Sequence, residues 1–374
     1  MAIVQIMNKR STEMNAMKYK VYLLLMLLGF SMQPCFAQEK LRVILAGLSH
    51  DHVDGTLNKY KNGQVEIEGI VESNQELCEK KKTKYQLPDS IFIKDIKSAI
   101  QKKHPDLVMV YDAPVNHLGV VEKCLPLHIP VMIEKPLAFS YADAEKMKAL
   151  SDKYQTKVYT NYPSLWYTSF NELLKKVKEA GPINKMVMRG GHKGPLEIGC
   201  SKEFAGWLTD LQKNGGGAVI DFGCYGACIM TELMEGKTPL SVYATAKHLK
   251  PEMYPKVDDA ATIILEYEGA TGITEASWDW PFTIMDVEVS GKDGYLHASQ
   301  FNTPKLQVKN ENTIRDETIS VPEYKDEVEY LTAVLKKGAP DNNRLLSLDR
   351  NLIIVRILDA ARQSIKEGRR IDLK

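Results

Sequence analysis

The hydrophobic pattern divides the chain into two parts with different rhythms. In the first part, short apolar runs alternate with segments whose apolar residues recur at helical spacing. The runs predict strands at residues 41–46, 65–71, 106–111, 130–134 and 157–160. The segments between them predict helices, among them residues 96–103, 117–125 and 141–154. Strands that alternate with helices are joined by right-handed crossovers, so this part predicts a parallel sheet.

The second part, from residue 161 onward, has strands separated by short turns rich in Gly, Pro and Asp. They are predicted at residues 185–189, 240–248, 261–268, 273–280, 286–290, 295–298 and 306–308. The sequence therefore predicts an α/β chain whose second domain is α+β, with an open-faced, largely antiparallel sheet. We expect the first domain at residues 38–160 and the second at residues 161–374. A last helix, at about residues 346–367, is expected to pack back on the first domain.

An open-faced sheet leaves one side without helices. Apolar strand positions such as Ile263, Leu265 and Tyr267 cannot all stay in contact with water on such a face. We therefore expect the second domain to mediate self-association, as a homodimer or homotetramer.

The N-terminus carries the pattern of a secretory signal peptide at residues 1–37. Lys18 and Lys20 precede an apolar run at residues 21–32, and small residues follow up to Ala37, after which cleavage is expected. At about a dozen residues the run is too short to span a bilayer, so no membrane span is expected once it is removed. The sequence thus predicts an exported protein, periplasmic or extracellular. Met1 and Met17 both remain candidate start residues.

Charge and cysteine content exclude further classes of protein. The 49 basic and 48 acidic residues balance, which argues against binding of nucleic acid. Apart from the one in the signal, the cysteines have scattered spacings and do not form a disulfide framework. The usual zinc motifs are absent from the sequence, and the adjacent residues His50, Asp51 and His52 have no distant partner motif. No metal site is predicted.

The segment after the first predicted strand partly matches a dinucleotide-binding loop. That fingerprint has glycine at its first, third and sixth positions; Gly47 keeps the first, Ser49 is small at the third, and His52 departs at the sixth. Glu72 ends the second predicted strand about 20 residues further on, where a carboxylate accepts hydrogen bonds from the adenosine ribose. A carboxylate would repel a 2′-phosphate, so NAD is favoured over NADP. An ordinary exposed strand end is the alternative for Glu72.

Glu134, Lys135 and Pro136 end the predicted strand at residues 130–134 abruptly. Ligands of open α/β sheets bind outside the carboxyl ends of the strands, where Lys135 would lie. A lysine between apolar residues and a rigid proline is poorly placed for solvation. The alternative is a plain surface lysine.

A glycine-rich segment at residues 215–217 precedes an apolar stretch that predicts a buried helix through Met234. Asp221 and Tyr225 are four residues apart, so they would share one face of this helix. Two polar groups on an apolar helix need partners or a ligand. The alternative is an Asp–Tyr hydrogen bond that only holds the core.

Together these motifs resemble the glucose–fructose oxidoreductase and myo-inositol dehydrogenase family (Gfo/Idh/MocA), over nearly all of the mature chain. The resemblance rests on Asp112-Ala113-Pro114 to His117, Glu134-Lys135-Pro136, the helix with Asp221 and Tyr225, the helix at Asp359-Ala360-Ala361 to Ser364, and Gly368-Arg369-Arg370. Many members carry histidine where Tyr225 stands. A tyrosine at this position resembles the glucose–fructose oxidoreductase and dihydrodiol dehydrogenase branch of the family. The resemblance implies a Rossmann domain, an open-faced substrate domain and NAD(P)-linked alcohol or aldehyde chemistry, commonly on sugars.

Oxidation of an alcohol needs a base for the hydroxyl proton. A tyrosine, with an ordinary pKa of about 10, serves only when a nearby cation favours its phenolate. We therefore predict Tyr225 as the proton-transfer group, Lys135 as that cation, and Asp221 as a residue that orients them or binds a second hydroxyl.

The remaining candidates are contacts to cofactor and substrate. The cofactor set is Gly47, Ser49, His50, Glu72, Asp112, Pro114, His117, Glu134 and Lys135. The substrate set is Tyr162, Trp166, His192 and Trp207, because apolar sugar faces stack on aromatic rings and His192 lies in a glycine-flanked loop.

Three functions stay open on these residues. The first is an exported NAD(P)-dependent oxidoreductase acting on a sugar or polyol. The second is a glycoside hydrolase that uses bound NAD transiently, and the third is a sugar-binding protein without turnover.

Overall fold

Two β-sheets with their helices make up the part of the chain that the computed structural model describes, residues 39–300 and 302–373. From residue 40 onward, the described residues form one compact unit. The signal peptide predicted at residues 1–37 lies outside the described residues. Within the described ranges, no helix is long and apolar enough to cross a membrane.

The first sheet is parallel, with the strand order β2-β1-β3-β4-β5. Its strands are β1 (Leu41–Ala46), β2 (Val65–Val71), β3 (Leu107–Val110), β4 (Val131–Glu134) and β5 (Val158–Asn161). Every residue of β3, β4 and β5 is buried, as expected for strands that are covered on both faces. The predicted parallel sheet is confirmed.

Five helices accompany this sheet: α1 (Val53–Lys61), α2 (Gln75–Tyr85), α3 (Ile96–Lys103), α4 (Pro114–Cys124) and α5 (Tyr141–Tyr154). The side chains of Asn74, Asp95 and Ser140 cap three of them by accepting hydrogen bonds from backbone amides of the first turn. The predicted bounds of α3 and α5 are confirmed. Helix α4 begins at Pro114 rather than at His117, because proline suits the first helical position.

The second sheet has the strand order β13-β12-β11-β10-β6-β9-β8-β7-β14. Its strands are β6 (Ile183–Gly191), β7 (Ser241–Lys247), β8 (Ala260–Tyr267), β9 (Ala270–Ser277), β10 (Ile284–Gly291), β11 (Gly294–Ser299), β12 (Asn302–Val308), β13 (Arg315–Asp316) and β14 (Ile371–Asp372). Strands β6 and β9 pair in parallel, and the other neighbours are antiparallel. The largely antiparallel sheet is confirmed; the two-residue strands β13 and β14 are too short for a sequence pattern to indicate.

In β8 and β9, buried residues alternate with more exposed ones. Ile263, Leu265 and Tyr267, which we expected on the uncovered face, lie in the core. Thr262 and Ile264 point to the other side and are partly exposed. The expected face was wrong because strand side chains alternate, so a shift of one residue exchanges the two faces.

The remaining helices are α6 (Thr168–Lys176), α7 (Lys202–Leu208), α8 (Leu211–Asn214), α9 (Ala218–Asp221), α10 (Gly223–Leu233), α11 (Glu327–Lys337) and α12 (Leu348–Glu367). Helix α12 contacts α5 beside the first sheet and also α10 and β7 of the second part. Its Leu348 and Val355 are buried with residues of the first sheet, whereas Ile357 and Leu358 are buried with the larger cluster that includes the second sheet. Both sheets therefore depend on α12.

Candidate functional site

The loop between β1 and α1 turns at Gly47, which has a φ of +84°. A Cβ atom there would lie 2.8 Å from the carbonyl oxygen of Tyr111, so only glycine fits. The Gly47 amide donates to the Val71 carbonyl at 2.9 Å, and the His50 amide donates to the Tyr111 carbonyl at 3.1 Å. The loop is thus held against the ends of β2 and β3. It leads into the N-terminus of α1, the kind of position that binds anions.

Glu72, just after β2, fixes the same loop. Its Oε2 accepts a hydrogen bond from the Leu48 amide at 2.9 Å, and its Oε1 accepts one from the Asn74 amide at 2.8 Å. Each carboxylate oxygen has a second lone pair, so ribose hydroxyls are compatible with these bonds. Glu72 therefore also shapes the loop, a role that the sequence did not indicate.

The end of β3 contributes Asp112, whose Oδ1 accepts a hydrogen bond from the Ser49 hydroxyl at 3.1 Å. Pro114 opens α4 beside it. His117 is buried, and its ring nitrogens lie 2.9 Å from the Asp112 carbonyl oxygen and 3.1 Å from that of Leu137. Both partners are backbone carbonyls and a neutral imidazole has one N–H, so His117 donates to one of them and packs against the other, between the two loops.

Lys135 follows β4 and is only 5% exposed. Its Nζ donates to Asp221 Oδ1 at 2.6 Å, and Trp278 Nε1 donates to Asp221 Oδ2 at 3.0 Å. Burial works against both charges, but each charge stabilises the other more strongly. The pKa of Lys135 therefore lies well above its ordinary value, and the pKa of Asp221 lies below its own. The structure holds a buried lysine cation against a buried carboxylate.

Tyr225 meets the same lysine through its ring, with Lys135 Nζ 4.9 Å from the ring centroid. Burial raises the pKa of Tyr225, and the charge of Lys135 lowers it only in part, so the pKa stays well above its ordinary value. We expected Lys135 to favour the phenolate. The lysine charge is already paired with Asp221, and the tyrosine is protonated at neutral pH. In this state Tyr225 is a proton donor.

Asp221 and Tyr225 come from two helices rather than from one. Helix α9 ends at Asp221, Phe222 lies between, and α10 begins at Gly223. The predicted continuous helix is wrong at this point. Lys135 still reaches both helices, since its Nζ lies 2.6 Å from Asp221 Oδ1 on α9 and 4.9 Å from the ring centroid of Tyr225 on α10.

His192 follows β6, and its ring packs edge-on against Phe222 at 5.0 Å between centroids. Its Nδ1 accepts a hydrogen bond from the Gly194 amide at 2.9 Å, which leaves Nε2 to carry the proton. Burial lowers the pKa of His192, and the charge of Asp221 offsets this only in part. A neutral imidazole donor therefore lies next to the Lys135–Asp221 pair.

Glu134, the last residue of β4, faces the nucleotide loop. Its Oε2 lies 2.9 Å from His52 Nδ1, and its Oε1 accepts a hydrogen bond from Asn161 Nδ2 at 2.6 Å. Burial would raise the pKa of Glu134, but His52 and Asn161 hold it below its ordinary value. Both oxygens accept hydrogen bonds from protein partners, so Glu134 fastens the loop to β4.

Asn161 and Trp278 are site residues that the sequence analysis did not assign. Neither belongs to a motif of its own. Each contacts a charged side chain far away in sequence, Glu134 for Asn161 and Asp221 for Trp278. Only the fold brings these pairs together.

Two predicted substrate contacts lie away from the Lys135–Asp221 pair. Tyr162 is 0% exposed, and its ring packs edge-on against Tyr225 at 6.0 Å, so Tyr225 and the core enclose it. Trp166 lines a separate groove of about 500 Å³ with Tyr324 and Tyr330. Tyr162 supports Tyr225 from behind. Trp166 donates from Nε1 to Asn161 Oδ1 at 2.9 Å, so it supports the Glu134 side of the site while its ring lines the groove.

Trp207, the last predicted substrate contact, covers the nucleotide loop. Helix α7 places Phe204 and Trp207 against His50, at ring-centroid distances of 4.6 and 5.5 Å. Just before α7, the Ser201 amide donates to Asp51 Oδ2 at 2.8 Å. His50 is therefore enclosed by aromatic rings, and α7 holds the loop from the outside.

Two family models match the chain. The model described as "Oxidoreductase family, NAD-binding Rossmann fold" matches residues 41–162, which hold the first sheet. The model described as "GFO/IDH/MocA C-terminal domain" matches residues 175–297, which hold α9, α10 and most of the second sheet.

Curated relatives that the chain matches are dehydrogenases. Trans-1,2-dihydrobenzene-1,2-diol dehydrogenase of Xenopus tropicalis is 29% identical over 45% of this chain and 48% of its own length. The chain thus spans about half of that relative. Myo-inositol 2-dehydrogenase of Thermotoga maritima is 23% identical over 75% of this chain and 84% of its own length.

Solved structures share the architecture. Aldose-aldose oxidoreductase from Caulobacter crescentus, complexed with glycerol, aligns with a TM-score of 0.74 at 21% identity, covering 90% of this chain and 100% of that chain. At this identity the likeness concerns the fold. The two family models match consecutive parts of the chain in the order of its two sheets, so the resemblance inferred from the sequence is confirmed. The chain belongs to the GFO/IDH/MocA family of oxidoreductases with an NAD-binding Rossmann fold.

Proposed function

We propose that this protein is an NAD-dependent oxidoreductase that interconverts a secondary alcohol and a carbonyl on a sugar or polyol. The observation that carries the proposal is the buried Lys135–Asp221 pair, with Tyr225 against it, at the carboxyl end of β4. Ligands of open α/β sheets bind at that end. The names of the two curated relatives specify a diol and an inositol, both of which are polyhydroxylated.

The residues at the ends of β1 and β2 fit NAD. Gly47 permits the tight turn, and the N-terminus of α1, to which the loop leads, favours the negative charge of the pyrophosphate. Glu72 keeps lone pairs for the ribose hydroxyls and would repel the 2′-phosphate of NADP. When bound, NAD accepts or returns the hydride. The chain itself handles the proton and the orientation of the substrate.

Tyr225 holds the proton that the reaction moves. Its raised pKa keeps the phenol protonated, so it can donate to a carbonyl oxygen at neutral pH. Lys135 keeps its positive charge through Asp221 and stabilises negative charge that develops on the reacting oxygen. Trp278 holds the far oxygen of Asp221 in place. His192, with its free Nε2–H, offers a hydrogen bond to a further hydroxyl.

Two further parts of the proposal concern location and assembly. The signal pattern ending at Ala37 supports export to the periplasm or the cell exterior. The partly exposed Ile264 and Ile273 on the uncovered side of the second sheet support a homodimer or homotetramer. Light scattering at micromolar concentration should give a mass above that of the monomer, and Ile264→Lys should lower it. A monomeric wild-type protein would contradict this part.

The function is tested by incubating the purified protein and NAD⁺ with a panel of sugars, polyols and aryl glycosides. NADH absorbance and aglycone release are followed together. Substrate-dependent NADH formation that disappears in Lys135→Met supports the oxidoreductase. Aglycone release without net NADH would replace it with the glycoside hydrolase that uses NAD transiently. Binding of a sugar without either signal would indicate a binding protein.

A further inference from the structure

One lysine ties together two loops of the second part of the chain. The first loop follows β6 at residues 192–201, and the second joins β7 to β8 at residues 248–259. Lys250 lies in the second loop, and its side chain is only 16% exposed. An ammonium group has three N–H donors, which need acceptors when the side chain is buried to this extent. The acceptors of Lys250 therefore show what it holds together.

The acceptors of Lys250 lie on both loops and next to β9. Its Nζ donates to Glu197 Oε1 and to the carbonyl oxygen of Lys193, both in the loop after β6. It also donates to the carbonyl oxygen of Trp278, just after β9, and the distances to Glu197 Oε1 and to this oxygen are both 2.5 Å. The three donors are thus used within the protein, and Lys250 itself does not bind the substrate.

On one side, Lys250 fixes Trp278, the residue that holds Asp221. Trp278 Nε1 donates to Asp221 Oδ2 at 3.0 Å. The Trp278 amide donates to the carbonyl oxygen of Asp259 at 2.7 Å. The buried carboxylate of Asp259 accepts the backbone amides of Leu249 and Lys250 at 2.8 and 2.6 Å. The backbone and the side chain of Lys250 are therefore both fastened to the residue that orients Asp221.

On the other side, Lys250 fixes the turn that orients His192. The Gly194 amide donates to His192 Nδ1 at 2.9 Å, which places the ring proton on Nε2. Gly194 has a φ of +123°, and a Cβ atom there would collide with Glu197 Oε2 and the Tyr254 hydroxyl. The Tyr254 hydroxyl donates to the same Glu197 oxygen. The tautomer of His192 therefore depends on a tight turn that Lys250 and Glu197 hold closed.

We propose that Lys250 is a positioning residue of the site, which keeps Asp221, and with it the cation of Lys135, in fixed register with His192. The inference rests on the proposed function, in which these side chains face one substrate. A displacement of about 1 Å by a change remote from the reacting atoms can lower the rate by about 10²-fold. A residue that touches neither substrate nor cofactor can therefore affect turnover strongly.

The charge of Lys250 also acts on His192. Burial lowers the pKa of His192; of the charged groups that face it, Asp221 and Glu197 raise this pKa, whereas Lys135 and Lys250 lower it. Removal of Lys250 would leave Glu197 without its counter-charge, so the pKa of His192 would rise. Lys250 thus helps to keep the imidazole neutral, in addition to holding the turn that fixes its tautomer.

NMR of the full chain with ¹³C,¹⁵N-labelled histidine tests the inference without cofactor or substrate, and His192→Asn identifies the signals of His192. In Lys250→Met, the pKa of His192 should rise and the ring should become a mixture of tautomers. Adding Glu197→Gln should bring the pKa back toward the wild-type value but leave the tautomers mixed. The matched control is Lys256→Met, which removes a 68% exposed lysine from the same loop and should change neither property.

Kinetics with the best substrate of the panel complete the test. Lys250→Met should lower kcat/KM by up to about 10²-fold and leave NAD affinity unchanged, since the three donors of Lys250 are used in the second part of the chain. If Lys250→Met folds poorly, Glu197→Gln alone decides the question, because it leaves the lysine charge uncompensated and should lower the pKa of His192.

Two results would overturn the proposal. The first is an unchanged tautomer of His192 in Lys250→Met, even with a raised pKa, since charge alone would then explain the change. The second is the same change of tautomer in Lys256→Met. Failure of the proposed function would look different, because the wild type would then form no NADH with any substrate whatever the NMR spectra show.

Discussion

Glu134 and Lys135 are neighbours at one strand end, yet they serve different parts of the molecule. Lys135 reaches Asp221 on α9, whereas Glu134 reaches His52 and Asn161 around the first sheet. Both are buried charges, but only Lys135 has a full opposite charge within 3 Å. The comparison teaches that one short motif directs two buried charges to different partners. One charge joins the two sheets, and the other fastens the nucleotide loop.

The largest effect is expected from removing the charge on the Lys135 side. Lys135→Met keeps the length of the side chain but leaves Asp221 as an unpaired buried charge, which costs about 3–5 kcal/mol of unfolding free energy. Turnover should fall by about 10²–10⁴-fold. Urea unfolding and initial rates measure the two effects. The double variant Lys135→Met with Asp221→Asn should recover stability without activity; an unchanged unfolding midpoint in the single variant would contradict the buried pair.

Tyr225→Phe tests the Lys135 side of the site without removing a charged group. The variant keeps the ring and its packing against Tyr162 but removes the proton. Turnover should fall by about 10²–10⁴-fold, with NAD affinity nearly unchanged. Adding Lys135→Met should do little further harm to turnover, since the two residues act as a unit. Near-normal turnover would move proton transfer to Asp221 or His192.

The effect of pH on stability should be smaller and should involve His192. Burial lowers its pKa in the folded chain below the value of about 6.5 expected for the unfolded chain. As pH falls below about 6.5, the unfolded chain takes up a proton that the folded chain does not, so the contribution of His192 to the free energy of unfolding is lost. Above that pH this contribution is fully present. Urea unfolding between pH 7.5 and 5.5 measures the slope. His192→Asn should reduce this slope by up to about one proton.

The smallest effect is expected at Glu72, on the nucleotide-loop side. Glu72→Ala removes the acceptor for the Leu48 amide and the charge that would repel a 2′-phosphate. NAD affinity should fall by about tenfold, or about 1.4 kcal/mol, and the preference for NAD over NADP should shrink. Titration calorimetry with both cofactors measures this. Equal affinity for the two cofactors, unaffected by the substitution, would refute the assigned role.

The first sheet could be predicted almost to the residue, because buried parallel strands and capped helices have local patterns, as at residues 141–154. Lys135 and Asp221 could be recognised from their motifs. The contact of Asp221 with Trp278, the burial of Tyr162 and the approach of Glu134 to His52 could not be predicted. These contacts join distant elements, and neither composition nor periodicity specifies how far a helix lies above a sheet. The face of β8 was missed for a simpler reason, since alternation alone does not say which set of residues points inward.

The path of α12 has a consequence for synthesis. Leu348 and Val355 complete the hydrophobic core beneath β5 and α5, yet roughly 190 residues separate β5 from α12 in the chain. At a translation rate of about 5–20 residues per second, the ribosome needs about 10–40 s to make that stretch. For this interval the nascent first sheet lacks its last layer and exposes apolar side chains to chaperones. A chain released before residue 348 would keep that apolar surface exposed. Chaperones can therefore recognise an incomplete product by its exposed hydrophobic surface.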